Sequence, residues 1–213
     1  MPKRRSKGFA NPAQTWDARF STDDYIFGTA PNVWLAQHRD LLPAGGRVLA
    51  VADGEGRNSV WLAQQGMQVD AFDISPVGVS KATRLAQQAN VQVNYQVRDV
   101  DNFDWKVGEY DAVVAIFIQF ADPDTRATLF NRMKSALKSD GVILLQGYTP
   151  KQLDYKTGGP PNLDHLYTEE LLRDIFGDMN ILELQAYEAV LREGMQHSGQ
   201  SALVGLVARK PFG

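Results

Sequence analysis

The sequence predicts an α/β domain: a doubly wound, mostly parallel sheet of seven strands with helices on both faces and an antiparallel hairpin at the C-terminal end. Three observations carry that expectation. Short apolar runs alternate with amphipathic stretches along most of the chain, the first such run enters a Gly-containing turn, and the last two runs are separated by too few residues for a crossover helix.

Asn32 to Leu42 carries Val33, Leu35, Ala36, Leu41 and Leu42 behind Pro31, which predicts a helix stopped by Pro43 and Gly45-Gly46. Arg47 to Ala52 is a nearly continuous apolar run entering Asp53-Gly54-Glu55-Gly56, the pattern of a buried parallel strand running into a tight turn. Asn58 to Gln65 follows as a helix with Val60, Leu62 and Ala63 inward, ended by Gly66. Gln68 to Phe72 is the second strand, closed by Asp73; Ser75-Pro76 opens a helix reaching Ala89, and Val91 to Val97 alternates as a third strand does. Two further strand and helix pairs are Tyr110 to Phe117 with Thr125 to Leu137, and Val142 to Tyr148 with Thr168 to Phe176. Ile181 to Leu191 and Ser201 to Ala208, separated by Arg192 to Gln200, form the hairpin. Residues 149–167, rich in Gly and Pro and without periodicity, are a candidate lid.

The whole chain, 1–213, is read as one domain, with residues 1–28 as an N-terminal arm and flap, because 213 residues hold one core of this class. Apolar residues at 44% and charged residues at 22% match globular proteins and exclude a disordered chain. The longest uninterrupted apolar run, Ala112 to Ile118, is far short of the ~20 residues that a membrane span needs. The basic N-terminus has no apolar stretch behind it, so it is not read as a secretory signal. Without cysteine there is no disulfide, no thiolate nucleophile and no Cys-ligated zinc, and a cytoplasmic location is expected. Lys3, Arg4, Arg5 and Lys7 stand in the first seven residues without an acid, leaving 18 basic against 25 acidic residues in the rest. An acidic body disfavours a nucleic-acid partner, since phosphate neutralisation needs a basic face, and the arm reads as a solubilising terminus.

In an open parallel sheet, ligands sit beyond the carboxyl ends of the strands. Gly54 and Gly56 let backbone approach a ligand there, and the helix that follows aims its free N–H groups at the same place, although the pair alone also suits a plain tight turn. Asp73, at the end of the second strand, is placed to accept from both hydroxyls of a ribose or to cap the next helix. Asp99, after the third strand, is either an acceptor for an adenine amine or a solvated loop acid. Ile74 and Val100, which follow these two acids, complete the adenosine side of the candidate site.

The runs Val48-Leu49 through Gly54-Glu55-Gly56-Arg57-Asn58, Val60 to Ala63, and Val69-x-Ala71-x-Asp73-Ile74-Ser75 resemble the class I S-adenosylmethionine-dependent methyltransferases. The Gly-Glu-Gly-Arg-Asn signature is similar to the tellurite-resistance and thiopurine methyltransferase-like group. The likeness continues through Tyr110-Asp111 to Phe117, Leu137 to Gly141, Tyr155-x-Thr157-Gly158-Gly159-Pro160, Glu193-Gly194 and His197-x-Gly199. It implies a Rossmann-like methyltransferase fold, S-adenosylmethionine as cofactor and S-adenosylhomocysteine as product. Two positions depart from the pattern: Ala50 stands where the class has an acidic residue in the first strand, and Ala52 where it has its first glycine. Asp53 and the backbone at Gly54 are then the substitutes for the cofactor's methionine end. Arg57 and Asn58 carry over as cofactor-side or turn-shaping residues.

Methyl transfer needs position and dryness more than a dedicated triad. The arm, with Trp16, Arg19, Phe20, Tyr25, Phe27 and Gly28, suggests a flap, with Tyr25 a candidate catalytic residue. Ile116, Phe117 and Gln119 end the fourth strand and should face the methyl group. His197, at the hairpin turn, is the candidate base; His38 reads as a surface residue and His165 as part of the Gly-Pro loop. Arg192 and Glu193 either orient a substrate or pair across strands. The three histidines have no metal-ligand spacing, so no metal is expected. The reading is a methyltransferase for a small heteroatom nucleophile such as a thiol, tellurite or selenite. The alternatives are a non-catalytic binder of the same cofactor and an NAD-dependent oxidoreductase; the oligomeric state is open.

Overall fold

The computed structural model describes residues 11–213, so the basic segment Met1 to Lys7 lies outside the described residues. Seven strands form one sheet: β1 (Arg47–Val51), β2 (Gln68–Asp73), β3 (Asn94–Val97), β4 (Tyr110–Ile116), β5 (Leu137–Tyr148), β6 (Asn180–Glu193) and β7 (His197–Arg209). Their order is β3-β2-β1-β4-β5-β7-β6, with β7 antiparallel to both of its neighbours and the other ladders parallel. Strand order reverses between β1 and β4, which opens a crevice beyond their carboxyl ends.

Helices cover both faces. They are α1 (Pro12–Phe20), α2 (Val33–Gln37), α3 (Arg57–Gln64), α4 (Pro76–Gln88), α5 (Pro123–Ala136), α6 (Gln152–Tyr155) and α7 (Glu169–Ile175). Alternate residues of β1 and β4 serve two cores. Leu49, Val51, Val113 and Ala115 pack with Leu129, Phe130 and Met133 of α5 and Leu172 of α7, while Val48, Ala50, Ala112 and Val114 pack with Trp34 and Leu35 of α2 and Leu62 of α3. Ala50, where the related class has an acid, is buried in the second core.

Several boundaries differ from the sequence expectation for local reasons. The helix expected over 32–42 is α2 followed by a 3-10 turn at Arg39–Leu41. β5 begins at Leu137 rather than Val142, because its pairing with β4 is irregular between Tyr110 and Ala112 and Asp140 takes a φ of 63°. The hairpin strands extend to Glu193 and His197, leaving a turn of 194–196 where a longer connection was expected. The arm contains α1, whose start signal was available in the sequence: Asn11 caps the helix by accepting from the Gln14 N–H, with Pro12 in the first turn.

Residues 149–167 are fastened rather than loose. Gln152 donates to Thr157 Oγ1 and the Gly158 carbonyl and accepts from the Ala202 N–H of β7. Gly158 and Gly159 lie on the Tyr148 ring so closely that a Cβ would stand 2.9 Å from its hydroxyl or 2.8 Å from its edge.

Candidate active site

The turn after β1 is built from unusual backbone. Ala52, Gly54 and Gly56 have φ of 49°, 60° and 91°. Alanine in this left-handed region costs about 1–2 kcal/mol, which is why glycine suits the position. Gly56 is required by packing: a Cβ there would lie 2.6 Å from Ala82 Cβ on α4 and 2.9 Å from the Tyr95 hydroxyl. Asp73 fixes the turn, accepting from the Gly54 N–H (2.9 Å) through one oxygen and from the Ser75 N–H (2.9 Å) through the other. The cap of α4 is Ser75, whose hydroxyl accepts from the Gly78 N–H, and not Asp73; each Asp73 oxygen retains a lone pair that could serve a ribose.

Asp53 follows Ala52. The residue is partly accessible, but its Oδ2 is buried and has no hydrogen-bond partner. Burial, with the Asp73 charge adding to it, pushes the Asp53 carboxyl up to about 7; burial likewise raises Asp73 to about 6. A cation placed beside Asp53 would reverse that shift. In its absence these two groups lower stability as pH rises from the ordinary Asp range through about 6 to 7, because ionisation is harder in the fold than in the unfolded chain.

The arm crosses this turn. Phe20 packs over Gly54 and Gly78, and Asp17 accepts from Ser75 Oγ (2.5 Å) and the Val77 N–H (3.3 Å) at the start of α4. Glu55, between the two glycines, forms a fully buried ion pair with Lys81 of α4 (2.5 Å). The Lys81 ammonium donates to the carbonyls of Phe20, Thr22 and Asp24, and Glu55 accepts from the Ile26 N–H. The same clamp takes up Tyr25: its hydroxyl donates to the Lys81 carbonyl at 3.1 Å and its ring lies 5.0 Å from the ammonium. Tyr25 is thus placed on α4 and is not brought together with His197.

The hairpin closes the opposite side. Glu193 accepts from Arg57 Nη2 (2.7 Å), Asn32 Nδ2 (3.0 Å) and the Val33 N–H (3.2 Å), and Glu193, Arg57 and Asn32 are all buried. Asn32 Nδ2 also donates to Gln146 of β5, and Asn58 Oδ1 accepts from the Asn32 N–H. Arg57 and Asn58 therefore hold the cofactor-side turn to the hairpin. Arg57 Nη1 remains buried without a partner. Burial works against the Glu193 charge, but the neighbouring Arg57 and His197 outweigh it and hold the carboxyl at about 2, a stabilisation present above the ordinary Glu range and lost as pH falls toward 2. Gly194 is needed because the arm runs directly over it: a Cβ would lie 2.4 Å from the Ile26 carbonyl oxygen.

His197 is buried in an aromatic box, with the rings of Phe27 and Phe117 at 4.4 and 4.3 Å and Tyr148 at 5.9 Å. Phe117 itself has a φ of 57° at the end of β4, a costly conformation that aims its ring across the crevice. Burial lowers the His197 pKa, with Arg57 and Arg19 contributing and Glu193 opposing, so the imidazole is neutral at pH 7. Its Nδ1 has no hydrogen-bond partner.

The other expected residues have the following surroundings. Asp99 accepts from the Asp101 and Asn102 N–H groups and from Asn102 Nδ2, folding its own loop; the Val100 carbonyl accepts from Trp105 Nε1 and Arg132. Ile74 and Ile116 are half-buried. Gln119 is turned away from the crevice, bonding the Tyr148 backbone and the His165 carbonyl. His38 is not a surface residue: it bridges the Trp34 carbonyl (2.8 Å) and Glu183 (2.9 Å). His165 is buried against the Gln119 carbonyl. No group of His, Asp and Glu among the described residues is arranged to hold a metal. An open groove of about 890 Å³ lies at the amino ends of β1 to β3 beside Arg47, Asp70 and Asn94, remote from this chemistry. No helix among the described residues is long and apolar enough to cross a membrane.

Comparison with known proteins agrees with this geometry. Residues 48–141 match the family described as Methyltransferase domain. A ubiquinone biosynthesis O-methyltransferase of Xanthomonas axonopodis pv. citri (strain 306) is 36% identical over 106 residues, 49% of this chain and 44% of that protein. The chain thus spans less than half the length of that relative. Among solved structures, TehB from Haemophilus influenzae superposes with a TM-score of 0.70 at 17% identity, over 93% of this chain and 66% of that one. N-methyltransferase NodS from Bradyrhizobium japonicum WM9, in complex with S-adenosyl-l-homocysteine, superposes with a TM-score of 0.69 at 14% identity, over 93% and 98%. Residues 48–141 thus match a methyltransferase domain, in a chain whose seven-stranded sheet has the Rossmann-like fold of the solved methyltransferases.

Proposed function

We propose that the protein is an S-adenosylmethionine-dependent methyltransferase that acts on a small molecule carrying a thiol or comparable heteroatom nucleophile. The observation that carries this reading is a set of buried polar atoms without partners at the switch point: Asp53 Oδ2, Arg57 Nη1, Tyr148 Oη and His197 Nδ1. Asp53 and Arg57 fit the cofactor's charges. Asp53 would hold the cationic methionine end, Arg57 its carboxylate, and Asp73 the ribose hydroxyls, with Gly54, Gly56 and Asn58 shaping the turn and Ile74, Asp99, Val100 and Ile116 beside the adenosine. Tellurite and selenite remain in the acceptor class by resemblance to the TehB-like group.

When bound, the cofactor supplies an activated methyl group. The chain supplies the rest. Phe27, Phe117 and Tyr148 exclude water from the transfer path, the Glu55–Lys81 clamp holds the arm over the site, and neutral His197 takes the acceptor's proton. The N-terminal clamp makes Tyr25 a support of the flap. A second reading, transfer to a hydroxyl oxygen, is favoured by the likeness to the ubiquinone O-methyltransferase.

Methyl-labelled S-adenosylmethionine incubated with a small aliphatic thiol, a catechol, selenite and tellurite tests both readings. Label is expected in the methylated thiol; transfer to the catechol alone would establish the oxygen acceptor instead. Cofactor binding with no labelled product from any of the four would overturn the enzyme reading in favour of a non-catalytic binder.

A further inference from the structure

Glu193 and His197 end β6 and begin β7 and pair directly across the turn 194–196, so their side chains leave the same face of the sheet. Glu193 is immobilised by Arg57, Asn32 and the Val33 N–H. His197 Nδ1 is buried, without a hydrogen-bond partner, and 3.9 Å from Glu193 Oε2. That separation is longer than a formed hydrogen bond, so the pairing requires the imidazole to turn toward Glu193. The other charged groups facing the ring are Arg57 from α3 and Arg19 from α1, both of them cations that cannot accept a proton from Nδ1. The Phe27, Phe117 and Tyr148 rings occupy its remaining surroundings. Glu193 is the anion that faces Nδ1.

We propose that Glu193 is a positioning residue that keeps the proton of neutral His197 on Nδ1, leaving the Nε2 lone pair for the methyl acceptor. This rests on the reading of His197 as the base. In the step, the acceptor's X–H bond breaks as an Nε2–H bond forms; the imidazolium charge is balanced by Glu193, and the proton passes to water after turnover. The arrangement also explains why one carboxylate serves both Arg57 and His197: the cofactor-side turn and the base are held to one another through a single rigid group.

The test is the tautomer of His197, read by nitrogen-15 NMR on the full chain with S-adenosylhomocysteine added, for the wild type and Glu193→Gln. The wild type is expected to show the Nδ1–H form. In Glu193→Gln, whose amide can donate to Nδ1, the proton is expected to move to Nε2, and the His197 titration midpoint to fall because the balancing anion is gone. Turnover of the small thiol should drop in kcat with its KM nearly unchanged, and Glu193→Asp should restore part of it. An Nε2–H form in the wild type would overturn the proposal, and that result needs no folded variant. So would an unaltered tautomer and pH profile in Glu193→Gln. Failure of the enzyme reading is seen separately, as absence of methyl transfer by a wild type that has the expected tautomer.

Discussion

Lys81→Met is expected to lower stability by about 3 to 5 kcal/mol, the cost of leaving one member of a buried ion pair without its partner. Glu55 and Lys81 are each 2% exposed, so water cannot take the place of the lost charge. The methionine would also leave the carbonyls of Phe20, Thr22 and Asp24 without the ammonium that gathers them. Release of residues 20–26 should therefore accompany the loss of stability, and limited proteolysis should cut the arm well before the rest of the fold opens. Chemical denaturation measures the first effect. The double change Lys81→Met with Glu55→Met should recover part of the loss, since it removes the stranded carboxylate as well. A single variant as stable as the wild type would show that the pair does not hold the arm.

His197→Ala is expected to reduce kcat by about 10²- to 10⁴-fold, the usual worth of a positioned base, while affinity for S-adenosylhomocysteine is kept. The alanine also empties the box formed by Phe27, Phe117 and Tyr148, so some stability will be lost with it. His197→Gln separates the two effects, because it fills most of the same space without a titratable nitrogen. Steady-state turnover of the small thiol by both variants is the measurement. Turnover of His197→Gln equal to that of the wild type would reduce His197 to a packing residue.

The strand and helix pattern was legible because it depends on neighbours in the chain: Arg47 to Ala52 followed by Asp53-Gly54-Glu55-Gly56 specifies strand and turn locally. The hairpin was legible for the same reason. What local pattern could not reveal were partnerships made across the fold. Glu55 stands between two glycines, and nothing local shows that its partners are Lys81 and the Ile26 N–H. Glu193 read as a substrate-orienting or cross-strand residue, and its partners proved to be Arg57 and Asn32. Tyr25, from the arm, and His197, at the hairpin turn, were both candidates for the site, and the clamp on α4 separates them. His38 read as a surface residue because its helix is amphipathic, and no local signal shows that β6 brings Glu183 to it. Gly194 and Gly56 were visible as glycines, but the backbone and helix that crowd them come from distant segments.

A calorimetric titration of the protein with S-adenosylmethionine, S-adenosylhomocysteine and NAD tests most directly whether the turn after β1 is a cofactor site. Performed above and below the range in which Asp53 and Asp73 titrate, about 7 and about 6, it also reads the charge of the site. The account predicts saturable binding of both adenosyl compounds and none of NAD. It also predicts that S-adenosylmethionine binding weakens below that range, by up to about tenfold per pH unit for each carboxylate that must lose its proton. Binding of NAD with no heat from either adenosyl compound would contradict it.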